Sequence, residues 1–318
     1  MNRLLLLIIS IVPGLFLMWL FFRADKYEKE PATLIWKTFF LGMAYTLPAG
    51  FTEKILFSLW GYSPHKMANK EVGFFLFCTI ICIGIVEESA KLMAMHKAYR
   101  DNAFNEVMDG VVYGAAAAAG FATFENILYV MSSGYVTGVS RALLSVPGHV
   151  FFGAIIGFYL GLAKFRNENR FLIVLNGLII AALFHGCYDF FLLTRNMHVV
   201  FFVIPLLIYA YLTVRKYIKT ALNMSPFKVI TNEMPKIFLR KNDTGRNYYI
   251  DMKRITGWLL INFSVFIAVG FLLLEFRSNE ITGQTSNIAY LSYMFFCIAP
   301  FIAGIFLIAI SRRKSSKE

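Results

Sequence analysis

Long apolar runs broken by short clusters of charge set the rhythm of this chain. Nine can be traced, over about 4–22, 34–60, 72–96, 107–131, 141–163, 171–193, 198–217, 255–276 and 288–310. About 20 apolar residues in a helix cross the roughly 30 Å of hydrocarbon in a bilayer. The runs are continuous rather than alternating, which excludes a closed barrel. The expected fold is therefore all-α: a polytopic integral membrane helix bundle of about nine transmembrane helices, or eight. The second run makes the difference, because it holds Pro48, Gly50, Glu53 and Lys54. A kink there, or an end near Pro48 followed by an interfacial turn, is expected. The first run leads into Arg23 and Asp25 rather than a small-residue cleavage site, so it reads as a retained helix.

Composition agrees with a bilayer environment: 58% of the 318 residues are hydrophobic and 16% charged. The formal charge of +12 does not point to nucleic acid, because Lys and Arg sit in the connections between runs and report topology. They collect after the odd-numbered runs, as Arg23, Lys26 and Lys29, as Lys97 and Arg100, and as Lys164, Arg166 and Arg170. Ten more lie between Arg215 and Arg254, and Arg312, Arg313, Lys314 and Lys317 close the chain. The opposite side carries scattered residues such as Arg3, Lys66, Lys70, Arg141, Arg195 and Arg277. The positive-inside rule then puts the N-terminus outside and the C-terminus in the cytoplasm. Three parts are expected: a membrane-embedded core over 1–217, a basic cytoplasmic loop over 218–254 lying on anionic lipid headgroups, and two further helices with a basic tail over 255–318. Cys78, Cys82, Cys187 and Cys297 all fall within apolar runs, as small hydrophobes rather than a disulfide framework.

Ionisable residues inside membrane helices cost roughly 2.5–3.5 kcal/mol each on insertion scales, so a set of them needs a reason. The third run carries Glu87, Glu88 and Lys91 in IVEESAKLM, and the fourth Glu125 and Asn126 in GFATFEN. The fifth carries His149, and the sixth His185 and Asp189 in HGCYD. Glu87 with Lys91, and His185 with Asp189, are four apart and share a helix face. His149, Gly153, Gly157 and Gly161 form one stripe; Gly110, Gly114, Ala118 and Ala122 form another, with Glu125 beside it. Small residues at this spacing let helices close up and draw the polar groups round one cavity. At 1.5 Å of rise per residue, His149 and His185 lie about 4 Å and Glu125 about 8 Å outward of the midplane, with Glu87 about 4 Å inward. Asp109, near the start of the fourth run, reads as an end-of-helix group, and His65, His96 and His198 as interfacial.

Two carboxylates and two imidazoles screened from bulk water can hold and deprotonate a water molecule, the equipment of a hydrolase without a covalent nucleophile. The same donors suit zinc, with Glu125, His149 and His185 as the ligand set, or Glu87 in place of Glu125; no HExxH motif demands it, so zinc and no metal at all both stay open. Glu87 with Lys91 can also be a packing ion pair, and each His alone a satisfied interhelical donor. Beside an enzyme stand a proton- or ion-coupled transporter or channel, in which the same groups relay protons, and a scaffold with a degenerate site. No repeat relates the two halves, which weighs against transport.

With these residues in view, the chain resembles the PrsW family of intramembrane proteases, within the larger group that contains the CAAX prenyl endopeptidases. The matches are RADKYEKEP after the first run, EESAK at 87–91, GFATFEN at 120–126, His149, and HGCYD at 185–189, in order over about residues 1–215. The resemblance implies an endopeptidase that clips membrane-anchored protein substrates, with extracytoplasmic cleavage of an anti-sigma factor in the PrsW branch. It implies Glu87 as the base that activates water, with His149 orienting it. His185 and Asp189 would face the oxyanion, and Glu88 and Glu125 would support the site. A bacterial cytoplasmic membrane is the implied location. Two features depart from the endopeptidase branch: Lys91 follows the second glutamate by three where that branch has Arg by four, and Asp189 stands where Asn would donate to an oxyanion. An aspartate donates only when protonated, so orienting His185 is the alternative role for Asp189.

Overall fold

The structure, a computed structural model, describes residues 3–59, 72–194, 197–228, 257, 261, 301–305 and 308. The eighth and ninth apolar runs, most of the basic loop, the C-terminal tail, Cys297 and His65 lie outside or largely outside these residues. The described chain is helical, with no strand among the described residues. The order is α1 (Arg3–Ala24), α2 (Ala32–Leu59), α3 (Val72–Ala94), a short α4 (His96–Arg100), α5 (Val107–Ser133), α6 (Tyr135–Phe165), α7 (Arg170–Leu193), a one-turn α8 (Met197–Val200) and α9 (Val203–Met224). Five of these, α1, α3, α5, α6 and α7, are long and apolar enough to cross a membrane. Helices α2 and α9, at 28 and 22 residues, fall where the second and seventh runs were expected but are more polar. The protein is thus an all-α integral membrane protein. Helix α2 does not end near Pro48; it continues unbroken to Leu59. Proline removes one backbone donor, and a helix this long retains bonds on either side of the gap.

The chain divides into two compact units, one of Met1–Lys66 with Cys78–Lys228 and one of Met67–Phe77 with Val229–Glu318. In the second, Gly304 sits against the Gly257 carbonyl and Ile261. All residues considered below belong to the first unit, whose centre is α5. Its apolar face is made of very small side chains: Ala115 through Ala119, Gly114 and Gly120 are fully buried. Closest to it lies α6, and the two stripes read from the sequence do meet. A Cβ on Gly110 or Gly114 would run into the carbonyl oxygen of Gly157 or Gly153, and one on Gly161 would lie 2.7 Å from the Val107 carbonyl. On the other side, Gly42 of α2 touches the Ala117 carbonyl and Gly120 the Phe39 carbonyl. Backbones that touch along a small-residue seam hold register by van der Waals contact, which a bilayer needs because lipid offers no hydrophobic drive between helices.

Two stretches of π-helix interrupt the α-helices, at Thr79–Ile85 within α3 and at Arg141–Ser145 within α6. Each wider turn rotates the residues after it relative to those before. The first is seated on α7, with Gly186 against Ile80 and Gly84 against the Ala182 carbonyl. Glu87 and Glu88 come just after the first, and His149 just after the second.

Candidate active site

Four helices deliver the polar groups to one place. Helix α3 brings Glu87, Glu88 and Lys91, α5 brings Glu125 and Asn126, α6 brings Arg141 and His149, and α7 brings His185 and Asp189. Glu88 and Lys91 are fully buried; Glu87, His149 and His185 are at most 4% exposed. Phe121 and Phe152 close the site: the Lys91 ammonium lies 4.9 Å from the Phe121 ring centre, and Phe152 lies 5.4 Å from the His185 ring. The two imidazoles meet edge to face, 4.8 Å apart.

The hydrogen bonds fix how each imidazole is presented. Lys91 Nζ is 2.9 Å from His149 Nδ1 and 2.5 Å from Glu88 Oε1. An ammonium only donates, so His149 Nδ1 accepts and its proton sits on Nε2, which faces Glu125 at 3.0 Å. Glu125 is also held by Arg141 at 2.9 Å, and the same guanidinium donates to Asn126 at 2.7 Å. Glu88 Oε1 accepts a hydrogen bond from the Nδ1–H of His185 at 2.6 Å. That leaves the His185 Nε2 lone pair turned toward Glu87 at 3.6 Å and Asp189 at 3.4 Å. A carboxylate that fixes the far nitrogen of an imidazole raises the basicity of the near one.

Glu87 occupies the middle. Its Oε2 is 3.7 Å from His149 Nδ1, 3.6 Å from His185 Nε2 and 3.8 Å from Lys91 Nζ, and it has no hydrogen-bond partner. Ligand atoms of Glu87, His149 and His185 all lie within 4.8 Å of one another. A buried carboxylate oxygen left without a partner, facing two imidazole nitrogens, fits a water, and fits a divalent ion of the zinc type once Lys91 releases His149 Nδ1. Charge points the same way, since five acids, Glu53, Glu87, Glu88, Glu125 and Asp189, share this site with two basic side chains, Lys91 and Arg141. All six residues read from the sequence therefore reach one site. The ligand set put first from the sequence has Glu125 where Glu87 stands in this geometry, but Glu125 is engaged by Arg141 and by the outer nitrogen of His149.

Two members were missed. Glu53 of α2 comes within hydrogen-bonding reach of Glu87, although a kink or an end before it is what the sequence of α2 suggests. Its signal was there: an acid at mid-run, inside a helix that continues past Pro48. Arg141 read as one of the scattered outward charges, yet it binds Glu125 and Asn126. Its clue was the neighbouring pair of polar residues on α5, which need a donor.

Fold and site together define a helical integral membrane protein with a buried carboxylate and imidazole centre suited to hydrolysis. The family model for "PrsW family intramembrane metalloprotease" matches residues 30–214, and the chain belongs to that family. Similar curated proteins carry the name "Protease PrsW". That of Bacillus subtilis (strain 168) is 35% identical over 202 residues, 63% of this chain and 88% of the relative. That of Geobacillus kaustophilus is 32% identical over 188 residues, 59% of this chain and 79% of the relative. That of Clostridioides difficile is 31% identical over 202 residues, 59% and 79%. No solved structure matches. The protein is an intramembrane protease of a bacterial membrane, a hydrolase acting on membrane protein substrates.

Proposed function

We propose that Glu87 is the base of this protease, taking a proton from the water that attacks the scissile carbonyl. The observation that carries the reading is its unpartnered Oε2, buried and within 3.7 Å of both imidazoles. Lys91 and the His149 tautomer it imposes keep one nitrogen of His149 beside Glu87. Glu88 holds His185 so that its Nε2 lone pair faces the reacting position, which Glu87 and Asp189 flank. Arg141 holds Glu125 against the Nε2 proton of His149, fixing the ring. A divalent ion of the zinc type is the alternative occupant: Glu87, His149 and His185 would hold it, with His149 Nδ1 released by Lys91 and Glu87 serving as a ligand rather than as the base, and when bound it would supply Lewis-acid polarisation of the peptide carbonyl.

The substrate we infer is a membrane-anchored protein of the anti-sigma-factor kind, cut near its extracytoplasmic end. The support is the distribution of Lys and Arg, which puts the N-terminus outside and the loops after α1, α4, α6 and α9 inside. With that orientation the segment joining α5 to α6, next to Arg141 and Glu125, opens outward.

The test compares N-termini of membrane proteins by mass spectrometry, in cells expressing wild-type or Glu87→Gln protein at matched levels together with a tagged single-span substrate. Termini within or just outside the span should appear with the wild type and be lost in the variant. Persistence of those termini in Glu87→Gln, with the variant verified as folded, would remove Glu87 from the role of base.

A further inference from the structure

A second polar cluster lies far from the active site and serves no step of proteolysis. The segment between α1 and α2 brings Asp25, Glu28 and Glu30, part of the RADKYEKEP motif, against the start of α5 with Glu106 and Asp109. Asp109 is 16 residues before Glu125 on the same helix, so about 24 Å separates the two positions along its axis. Asp25 and Asp109 are fully buried, and Glu30 and Glu106 nearly so.

Part of this cluster is ordinary helix capping. Asp109 accepts the backbone N–H groups of Asn105 at 2.6 Å and Glu106 at 2.7 Å, Tyr113 donates to Glu30, and Asn105 donates to Glu28 at 3.2 Å. Capping does not account for Asp25. Neither of its carboxylate oxygens makes a hydrogen bond of ordinary geometry, the nearest donors being the backbone N–H groups of Tyr27 and Lys26, although the side chain is fully buried and faces Glu106 and Asp109. One oxygen each of Asp109, Glu28 and Glu30 likewise lacks a donor, the carboxyls of Asp109 and Glu30 facing each other within hydrogen-bonding reach. The nearby lysines are committed elsewhere: Lys29 donates to the carbonyls of Phe22, Arg23 and Asp25, closing the end of α1, and Lys164 donates to those of Tyr99 and Asp101. Among the described residues, no Lys or Arg forms an ion pair with any of the five acids.

We propose that Asp25, Glu106 and Asp109 bind one hard divalent cation, of the Mg²⁺, Mn²⁺ or Ca²⁺ type, that pins the α1–α2 segment to the start of α5. Their ligand atoms lie within 4.8 Å of one another, and an all-oxygen, all-carboxylate set suits these ions rather than zinc. Glu28 and Glu30, grouped with Asp109 within the same limit, supply outer acceptors for the waters such an ion keeps. The ion here is structural and separate from any metal of the proteolytic centre.

The test uses full-length protein in nanodiscs carrying Glu87→Gln and His149→Ala, so that the proteolytic centre holds no metal. Mn²⁺ binding is followed by electron paramagnetic resonance with Mg²⁺ and Ca²⁺ as competitors, and thermal unfolding is recorded with each ion and with chelator. One equivalent of Mn²⁺ should bind, displaced by the competitors, with an upward shift of the unfolding midpoint. Asp25→Asn, and separately Glu106→Gln, should weaken binding by about tenfold or more and abolish the shift, while eluting as the same monodisperse particle. The idea is overturned by absence of bound Mn²⁺ and of any ion-dependent shift, or by binding that survives both substitutions. It is equally overturned if Asp25→Asn stabilises the protein while ions leave the parent unchanged, which would mean that the acids are held by protons.

Discussion

Lys91 is the side chain on which the electrostatics of the active site turn, and replacing it gives a quantitative test. Its ammonium is fully buried, 2.5 Å from Glu88, 2.9 Å from His149 and 3.8 Å from Glu87. Lys91→Met keeps most of the volume and the contact with Phe121 but leaves Glu88 charged, with only the His185 N–H as a donor to Oε1. Removing one partner of a buried pair costs roughly 3–5 kcal/mol, most of it the burden of the charge left behind. At about 2–4 °C per kcal/mol for a domain of this size, the midpoint should fall by on the order of 10 °C. Glu88→Gln added to Lys91→Met removes the orphaned charge while its amide oxygen still accepts from His185, so about 2 kcal/mol should return. The assay is thermal unfolding of the wild type, both single variants and the double variant in the same detergent. If the double variant loses as much as the two singles summed, the pair is not coupled and the assignment of Lys91 as the counterion of Glu88 is wrong. Activity adds a second readout. Because Lys91 sets the tautomer of His149, the double variant should regain stability without regaining proteolysis.

Arg141→Met should destabilise by about 1–3 kcal/mol, because it strands Glu125 and the Asn126 oxygen together; unfolding curves alongside Arg141→Lys would show only partial rescue, since one ammonium cannot reproduce the fork. Gly157→Ala drives a Cβ into the Gly110 carbonyl and should cost about 1–3 kcal/mol, whereas Gly50→Ala, with nothing within 4 Å, should be neutral or stabilising by up to about 1 kcal/mol. Equal midpoints for the two would argue against close contact between α5 and α6. In the cluster below α5, burial pushes the carboxyls up: Asp25 to about 6 against the Lys29 charge, and Glu30 and Glu106 to about 7 against hydrogen bonds that favour their anions. With chelator present, their contribution to stability is therefore complete below about pH 4 and is lost as pH rises through 6 to 7. Midpoints measured across that range should fall less steeply in Glu30→Gln than in the wild type.

The helices were legible because their runs are long and uniform, and the two small-residue stripes because a spacing of four is a face on any helix. A change of phase within a helix could not be read. The π-helical stretches at Thr79–Ile85 and Arg141–Ser145 turn the residues beyond them about the helix axis, and a constant rise on helices centred at the midplane puts Glu87 and His149 about 8 Å apart in depth. In the structure a carboxylate oxygen of one is 3.7 Å from a ring nitrogen of the other. Pro48 acts in the opposite direction: by sequence it points to a kink or an end, and Glu53 lies five residues beyond it, yet the helix continues to Leu59. The partners of Glu125 were hidden for a different reason. Arg141 is a charge near a helix end by sequence, and a topology rule that counts charges cannot tell a lipid-facing arginine from one folded inward onto a carboxylate.

The arrangement also accounts for why so many acids can sit in a membrane. Glu53, Glu87, Glu88, Glu125 and Asp189 against Lys91 and Arg141 would leave an excess of three negative charges in a low-dielectric interior, which no bilayer tolerates uncompensated. The structure distributes the two cations unevenly. Lys91 is spent mainly on Glu88, and Arg141 on Glu125, the two carboxylates whose task is to hold His185 and His149. Glu53, Glu87 and Asp189 are left without a close cation, and of these Glu87 is the one that faces both imidazoles. Protons or a bound cation must supply the missing positive charge, and that requirement falls on the residue best placed to exchange a proton with water. For the base proposed here, a carboxylate within reach of a water and not neutralised by its own cation is what general-base transfer asks for, and committing Lys91 to Glu88 and Arg141 to Glu125 leaves Glu87 in that condition.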